Sequence, residues 1–402
     1  MSAAPKGQLR RRLGLPLLVL YGTGITVGAG IYVLIGTIAG HAGTYAPLAF
    51  ALAGIVMALS VASYAELCTR FPVAAGEAAY VKAAFRSGTL SFLTGSLTII
   101  IGVVASAAVT LGAVGYISEF VSIPREYLTI GVVLLVTAIT AWGILESVVL
   151  TSVLTLIEVG ALVAIIAAAA KAGVPFGSTL FAVPPFEPDI VAGIFLGALL
   201  AFFAFIGFED LVNVVEEAHE PSRNVPLAML LTLVISCSLY MLIGAISVTA
   251  VPIEKLAQSN APLAMVFHEV AGFGAPAISA VAISATLNTV IAQMTMASRV
   301  IYGMARQGDL PAQLGHVNHL TGTPLIATGI TSVMVFCLAA FVPLVRLAEL
   351  TSLATLVVFA LVNLSLLRLK FIHPRHAGLV VPVWVPILGL VTALGMIGFS
   401  LL

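Results

Sequence analysis

The amino-acid sequence predicts an all-α polytopic membrane protein, and three observations carry that expectation. Sixty per cent of the 402 residues are hydrophobic, only 8% are charged, and the mean hydropathy is +1.16. Soluble domains average about 25% charged residues, so this chain cannot stay dissolved as a monomer. Apolar runs of about 18 residues or more recur, each long enough to cross about 30 Å of hydrocarbon as a helix. Lysine and arginine collect in alternate connectors, as the positive-inside rule expects of a chain that crosses repeatedly.

Hydropathy places eleven spans near residues 13–38, 45–67, 88–118, 127–143, 147–170, 191–215, 226–250, 275–301, 324–343, 348–367 and 382–402. The fourth is short, and Pro343 divides the ninth from the tenth. With a cytoplasmic N-terminus, the outer connectors hold only Arg125, Lys171, Lys255 and Arg346, whereas the other basic residues, from Lys6 to Arg375, face inward. That bias predicts a multi-pass protein of the cell membrane with its N-terminus inside. The arginines ahead of Leu13 look like the start of a signal peptide, but the run to Ile38 is too long for one and is read as retained. The longest connector, about 251–274, leaves no room for a soluble domain, so residues 1–402 are expected to form one transmembrane domain.

A net charge of zero offers no field for nucleic acid. Cys68, Cys237 and Cys337 are scattered and lack metal-ligand spacing, so they read as small buried hydrophobes, and no metal or cofactor is expected.

Weak or polar spots inside the spans carry the functional signal, because they are expensive in lipid. Span 1 contains YGTGITVGAGIYVLIG, with glycines at 22, 24, 28, 30 and 36. Each costs a helix interior roughly 1 kcal/mol relative to alanine. Span 6 has Phe203-Ala204-Phe205-Ile206-Gly207-Phe208 near its centre, then Glu209 and Asp210. Span 5 carries Glu158 halfway along, and span 8 carries Thr286, Asn288, Thr289 and Gln293. Spans 1 and 6 lie five apart, so a second block of five inserts upside down relative to the first. Interrupted helices at matching positions of two such halves point to a transport site at mid-bilayer. The first repeat runs over about 13–170 and the second over about 191–367, with an extra helix at about 382–402.

A broken helix bares N–H and C=O groups, each costing several kcal/mol in hydrocarbon if unpaired. N–H groups opening the second half-helix suit a carboxylate, helped by the helix dipole. Carbonyls closing the first half-helix, with more near 203–206, suit an ammonium. Small residues at 28–30 allow a ligand close to the chain. The ligand this geometry asks for is an α-amino acid. Close packing of helices through Gly-x-x-x-Gly spacing is the competing explanation for the glycines.

At these residues the chain resembles the amino acid–polyamine–organocation (APC) permeases, most closely bacterial transporters similar to cationic amino acid transporters. GAGIY (28–32), YAELCTRFPVAAGEAAYV (64–81), FFAFIGFEDLVNVVEEAHEPSRNVP (202–226) and SRVIYGMARQGDLP (298–311) carry the likeness across spans 1 to 8. It implies a LeuT-type fold, a 5+5 inverted repeat with discontinuous helices 1 and 6, and about eleven transmembrane helices where the family commonly has twelve. It implies secondary active transport of amino acids by alternating access. Main-chain groups of Val27, Gly28, Ala29, Gly30 and Ile31 would hold the carboxylate and part of the amine. Those of Phe203, Ala204 and Ile206 would hold the rest, and Phe205 or Phe208 would close over the side chain. The chain departs from its relatives in two further places. Glu158 stands where relatives often have a lysine in helix 5, and Ile101 stands where some have an acid in helix 3.

Burial favours the neutral form of a carboxyl, which makes Glu158 the candidate carrier of a coupling proton. Glu66 and Glu209, near the inner ends of spans 2 and 6, are candidates for an inner gate, with Arg70, Arg223 and Arg299 on the same side. Thr286, Asn288 and Thr289 either line the site, complete a sodium site, or bond between helices. The expectation is therefore proton-coupled symport of neutral or broad α-amino acids, with sodium as the other possible ion. Amino acid or polyamine exchange and channel-like conduction are the alternatives. An intramembrane enzyme is disfavoured, since His-Glu-x-x-His and Gly-x-Ser-x-Gly are both missing and His268-Glu269 has no second histidine.

Overall fold

The computed structural model describes residues 13–72, 76–142, 148–212, 214, 215, 218–272, 274–306, 308–318, 321, 323–374 and 378–400, with 142 and 148–151 as backbone only. Lys6, Arg10, Arg11, Arg12 and Arg375, counted above to the inner face, lie outside the described residues. So do Val73–Ala75 of the quoted loop and the turn at 143–147.

Span 1 is two helices, α1 (Leu15–Val27) and α2 (Gly30–Ala42), separated at Gly28 and Ala29. Span 2 is α3 (Ala46–Arg70), reached through one tight turn at Gly43–Tyr45, and α4 (Gly76–Phe85) follows in the connector. Spans 3, 4 and 5 are α5 (Gly88–Ile117), α6 (Arg125–Trp142) and α7 (Val148–Lys171). The short α8 (Phe176–Leu180) precedes span 6, which is α9 (Pro188–Phe205) and then a single 3-10 turn at Phe208–Val212. Span 7 is α10 (Pro221–Ala250); α11 (Ile253–Gln258) and α12 (Pro262–Ala271) fill the longest connector. Spans 8 to 11 are α13 (Ala275–Arg306), α14 (Leu325–Phe341), α15 (Leu344–Ile372) and α16 (Trp384–Ser400).

Each of the eleven expected spans thus meets helix, and no strand is formed among the described residues. Among the described residues, seven stretches are long and apolar enough to cross alone, one of them the joined Gly30–Arg70. Helices α1, α12, α14 and α16 are apolar but shorter. Two helices outrun their hydropathy windows. α10 starts at Pro221 because proline suits a helix's first turn, and α13 continues to Arg306 with its basic end beyond the apolar stretch.

Packing sorts the helices. α5 lies along α13 and α15, α3 along α10, α2 along α9, and α1 between α7 and α10. Large apolar side chains of α6, α7, α14 and α16 point outward, including Leu134, Leu156, Val333 and Val391, as lipid-facing surfaces require. The segment ahead of α1 is anchored: His219 N–H donates to the Leu13 carbonyl at 2.8 Å, tying it to the chain after the span 6 turn.

Candidate functional site

The two interruptions meet. A Cβ at Gly30 would come within 2.6 Å of Ala204 Cβ and still closer to Ala204 Cα, so α2 begins directly against the last turn of α9. The contact is reciprocal. Gly207 takes φ +126, which side chains rarely tolerate, and a Cβ there would strike Ile25 of α1. Gly28 sits over the Thr289 hydroxyl of α13. Glycine is needed at these points for close approach as well as for the bend.

Main-chain hydrogen bonding differs on the two sides of the break in span 1. Gly28 N–H still donates to the Gly24 carbonyl at 3.1 Å, closing α1. No side chain caps α2, and its first bond runs from Val33 N–H to the Ala29 carbonyl at 3.1 Å. The N–H groups of Gly30, Ile31 and Tyr32 precede that bond and stand at the positive end of the helix, an arrangement suited to an anion. On the acceptor side, several expected groups already have partners. The Phe203 carbonyl takes Ile206 N–H at 3.2 Å. Tyr240 of α10 lies 2.7 Å from the Thr26 carbonyl and 2.8 Å from the Ala204 carbonyl, joining the ends of α1 and α9.

A small cavity, with room for about one water molecule, lies at the breaks, lined by Ile25, Thr26, Ala29 and Gly30 of span 1, Ala105 and Val109 of α5, Phe203 and Ile206 of span 6, and Thr289 and Gln293 of α13. A second, narrower gap adjoins it through Ala29, Val109 and Phe203, and continues along Val33, Leu34, Ala108, Leu344 and Ala348. Neither is lined by a charged side chain. Of the sequence-expected residues, Ala29, Gly30, Phe203, Ile206 and Thr289 line the cavity. Val27 and Ile31 are buried beside it, and Gly28 and Ala204 serve as contact surfaces.

Phe205 and Phe208, expected as the aromatic over the side chain, do not line the cavity. The Phe205 ring stacks 4.9 Å from Tyr240 and reaches toward Gly54. Phe208 packs 5.6 Å from Tyr64 and 5.5 Å from Phe359. Both are consumed by the core between α3, α10 and α15. The phenylalanine that lines both cavities is Phe203. Thr286 donates to carbonyls of its own helix, and Asn288 is half-buried outside the cavity lining.

Glu158 lies on α7, 1% exposed, with both carboxyl oxygens lacking a hydrogen-bond partner. Its main-chain carbonyl receives the Tyr32 hydroxyl at 2.7 Å, and the Tyr32 carbonyl in turn receives the Tyr116 hydroxyl at 2.6 Å. Span 5 is thereby tied to α2, the second half of span 1, and span 1 to α5.

The carboxylates near the ends of spans 2 and 6 divide into two clusters. Glu66, fully buried, accepts from Arg70 Nε at 2.9 Å and Nη2 at 2.6 Å, from Lys370 Nζ at 2.6 Å and from Val381 N–H at 2.8 Å. Arg70 is the expected partner. Lys370 was not anticipated, and Arg223 instead meets Glu220 on the surface. The cluster binds α3 to α15 and to the chain ahead of α16, not to the broken helices. Glu209 accepts from Gly207 N–H at 2.9 Å and so holds the bend of span 6. Nearby, Glu77 of α4 accepts from the Tyr64 hydroxyl at 3.0 Å.

Burial pushes the Glu77 carboxyl above its ordinary range, against a weaker pull from its hydrogen bonds. The folded protein therefore binds this proton more tightly than the unfolded chain. The associated stability is complete below the ordinary carboxylate range and is lost as pH rises through the raised value. Thermal unfolding in detergent between about pH 4 and pH 8 should show that decline, and Glu77→Gln should flatten it.

A sequence profile described as "Amino acid permease" matches residues 13–402. The chain belongs to the amino acid permease family. Cationic amino acid transporter 2, vacuolar, of Arabidopsis thaliana is 30% identical over 91% of this chain and 61% of its own length, so the chain spans less than two thirds of that relative. The branched-chain amino acid permease BcaP of Bacillus subtilis (strain 168) is 28% identical over 93% of this chain and 84% of its own length. The methylthioribose transporter of the same bacterium is 27% identical over 98% and 88%. In this member of the amino acid permease family, residues absent from the sequence-based site complete it: Tyr240, Ile25, Thr26, Ala105, Val109 and Gln293. Mid-span polar side chains flag Tyr240 and Gln293, whereas Ala105 and Val109 carry no signal distinguishing them from ordinary core residues.

Proposed function

We propose that this protein is a proton-coupled amino acid symporter that binds a neutral substrate between the breaks of spans 1 and 6. The observation that carries the reading is the pairing of uncapped α2 N–H groups with a small cavity free of charged side chains at the same depth. The substrate carboxylate takes the N–H groups of Gly30, Ile31 and Tyr32, and its ammonium takes free lone pairs of carbonyls ending α1 and α9. An uncharged cavity favours a neutral side chain, since a buried cation without a counter-charge is heavily penalised. The cargoes for which the relatives are named, cationic and branched-chain amino acids and methylthioribose, differ too much to choose among substrates.

Alternating access follows from two inverted repeats, about 13–170 and 191–367, moving about this site in a cell membrane with the N-terminus inside. Phe203 lines both cavities and serves as the ring that withdraws on opening. Glu158, buried without a partner on a helix bonded to Tyr32, carries the coupling proton. Uptake of a labelled amino acid panel into proteoliposomes, with a proton gradient, a sodium gradient or neither, tests the reading. Accumulation driven by protons supports it, and accumulation needing only sodium defeats the coupling assignment. Glu158→Gln should abolish the stimulation of uptake by an inward proton gradient while leaving counterflow measurable. Unchanged stimulation in that variant rules out Glu158 as the carrier.

A further inference from the structure

Two polar atoms belonging to residues that line the site cavity lack a partner: Thr26 Oγ1 and Gln293 Oε1. The residues are only 3% and 4% exposed, so water outside the protein does not serve them. Thr289, the other polar side chain in the lining, is satisfied by the Ala285 carbonyl at 3.0 Å. The remaining lining residues are apolar or glycine. Other buried oxygens of the described residues, Thr23 Oγ1 and Thr110 Oγ1 among them, also lack a partner, but these two are the ones whose residues line this cavity, where a ligand can complete them.

We propose that Thr26 and Gln293 read the side chain of the substrate, and that the preferred substrate carries a hydroxyl or carboxamide there. The inference rests on the amino acid site described above. A hydroxyl or carboxamide both donates and accepts, as do the threonine hydroxyl and the glutamine carboxamide of these two lining residues. An aliphatic side chain would seal both atoms in an apolar pocket with nothing to bond. A lysine or arginine side chain would bring a charge that no lining residue balances. The α-carboxylate and ammonium have main-chain groups of α1, α2 and α9 available, which leaves these two side chains for the variable part of the substrate.

Threonine and valine differ by a hydroxyl in place of a methyl, so their comparison isolates the interaction. Labelled threonine and valine, and likewise serine and alanine, are taken up into proteoliposomes by the full-length protein. Threonine should be preferred to valine by roughly tenfold or more, and Thr26→Val and Gln293→Leu should each drive the ratio toward one. Equal uptake of the two by the unaltered protein overturns the proposal, whatever the variants do. So does a folded variant that loses both substrates in equal proportion, since that marks service to the shared α-amino acid head. A protein inert toward every amino acid overturns the site reading itself, and this proposal with it.

Discussion

Gly30→Val is expected to abolish amino acid uptake. The added Cβ meets main-chain and Cβ atoms of Ala204, and backbone cannot swing aside as a long side chain does. Either α2 or the end of α9 must retreat. Misplacing reacting or binding groups by even ~1 Å typically costs about two orders of magnitude in turnover. Here the shift falls on the N–H groups proposed to hold the carboxylate and on the wall of the cavity. Uptake in proteoliposomes should fall to the level of empty liposomes while size-exclusion chromatography still shows a folded, monodisperse protein. Measurable uptake at a tenth or more of the unaltered rate would show that the two breaks are not held in mutual contact during transport.

Glu66→Gln is expected to produce the largest loss of stability. Glu66 is fully buried, and its partners Arg70 and Lys370 have side chains only 6% and 8% exposed. Removing the carboxylate leaves two buried cations facing a neutral amide. Breaking a buried ion pair by deleting one partner typically costs about 3–5 kcal/mol, because the survivor is left uncompensated. Thermal denaturation in detergent should show a clear drop in midpoint. Adding Lys370→Met, which removes one of the stranded charges, should restore part of it. Equal midpoints for the unaltered and Glu66→Gln proteins would mean that the cluster is solvated and contributes nothing to holding α3 against α15.

The places where the two helices part were legible because glycine and small residues leave a mark that survives in one dimension. GAG at 28–30 and FIG at 205–207 interrupt otherwise strong apolar runs, and both breaks fall there. What a break becomes was less legible. After Gly207 the chain forms a 3-10 turn at Phe208–Val212, with Gly207 N–H held by Glu209, in place of a second long half-helix. The phenylalanines of span 6 illustrate a second limit. Phe203, Phe205 and Phe208 are equivalent in hydropathy, and only the rotation of α9 against α3 and α10 decides which ring reaches the cavity. Lys370 and Tyr240 illustrate a third. Each joins residues far away in the chain, Lys370 to Glu66 and Tyr240 to Thr26, by packing that no local pattern encodes.

The phenol of Tyr240 owns a single hydrogen but lies within bonding distance of two oxygens, one ending α1 and one ending α9. At each instant one carbonyl is served and the other waits. So long as both half-helices travel together, the hydrogen swaps between them without loss. In the proposed transport cycle, once they diverge, one oxygen is left bare in a dry interior until the substrate ammonium or a water molecule replaces the phenol. The pin that fastens the breaks is thereby also a toll on moving them separately, and a bound amine is well suited to lift it.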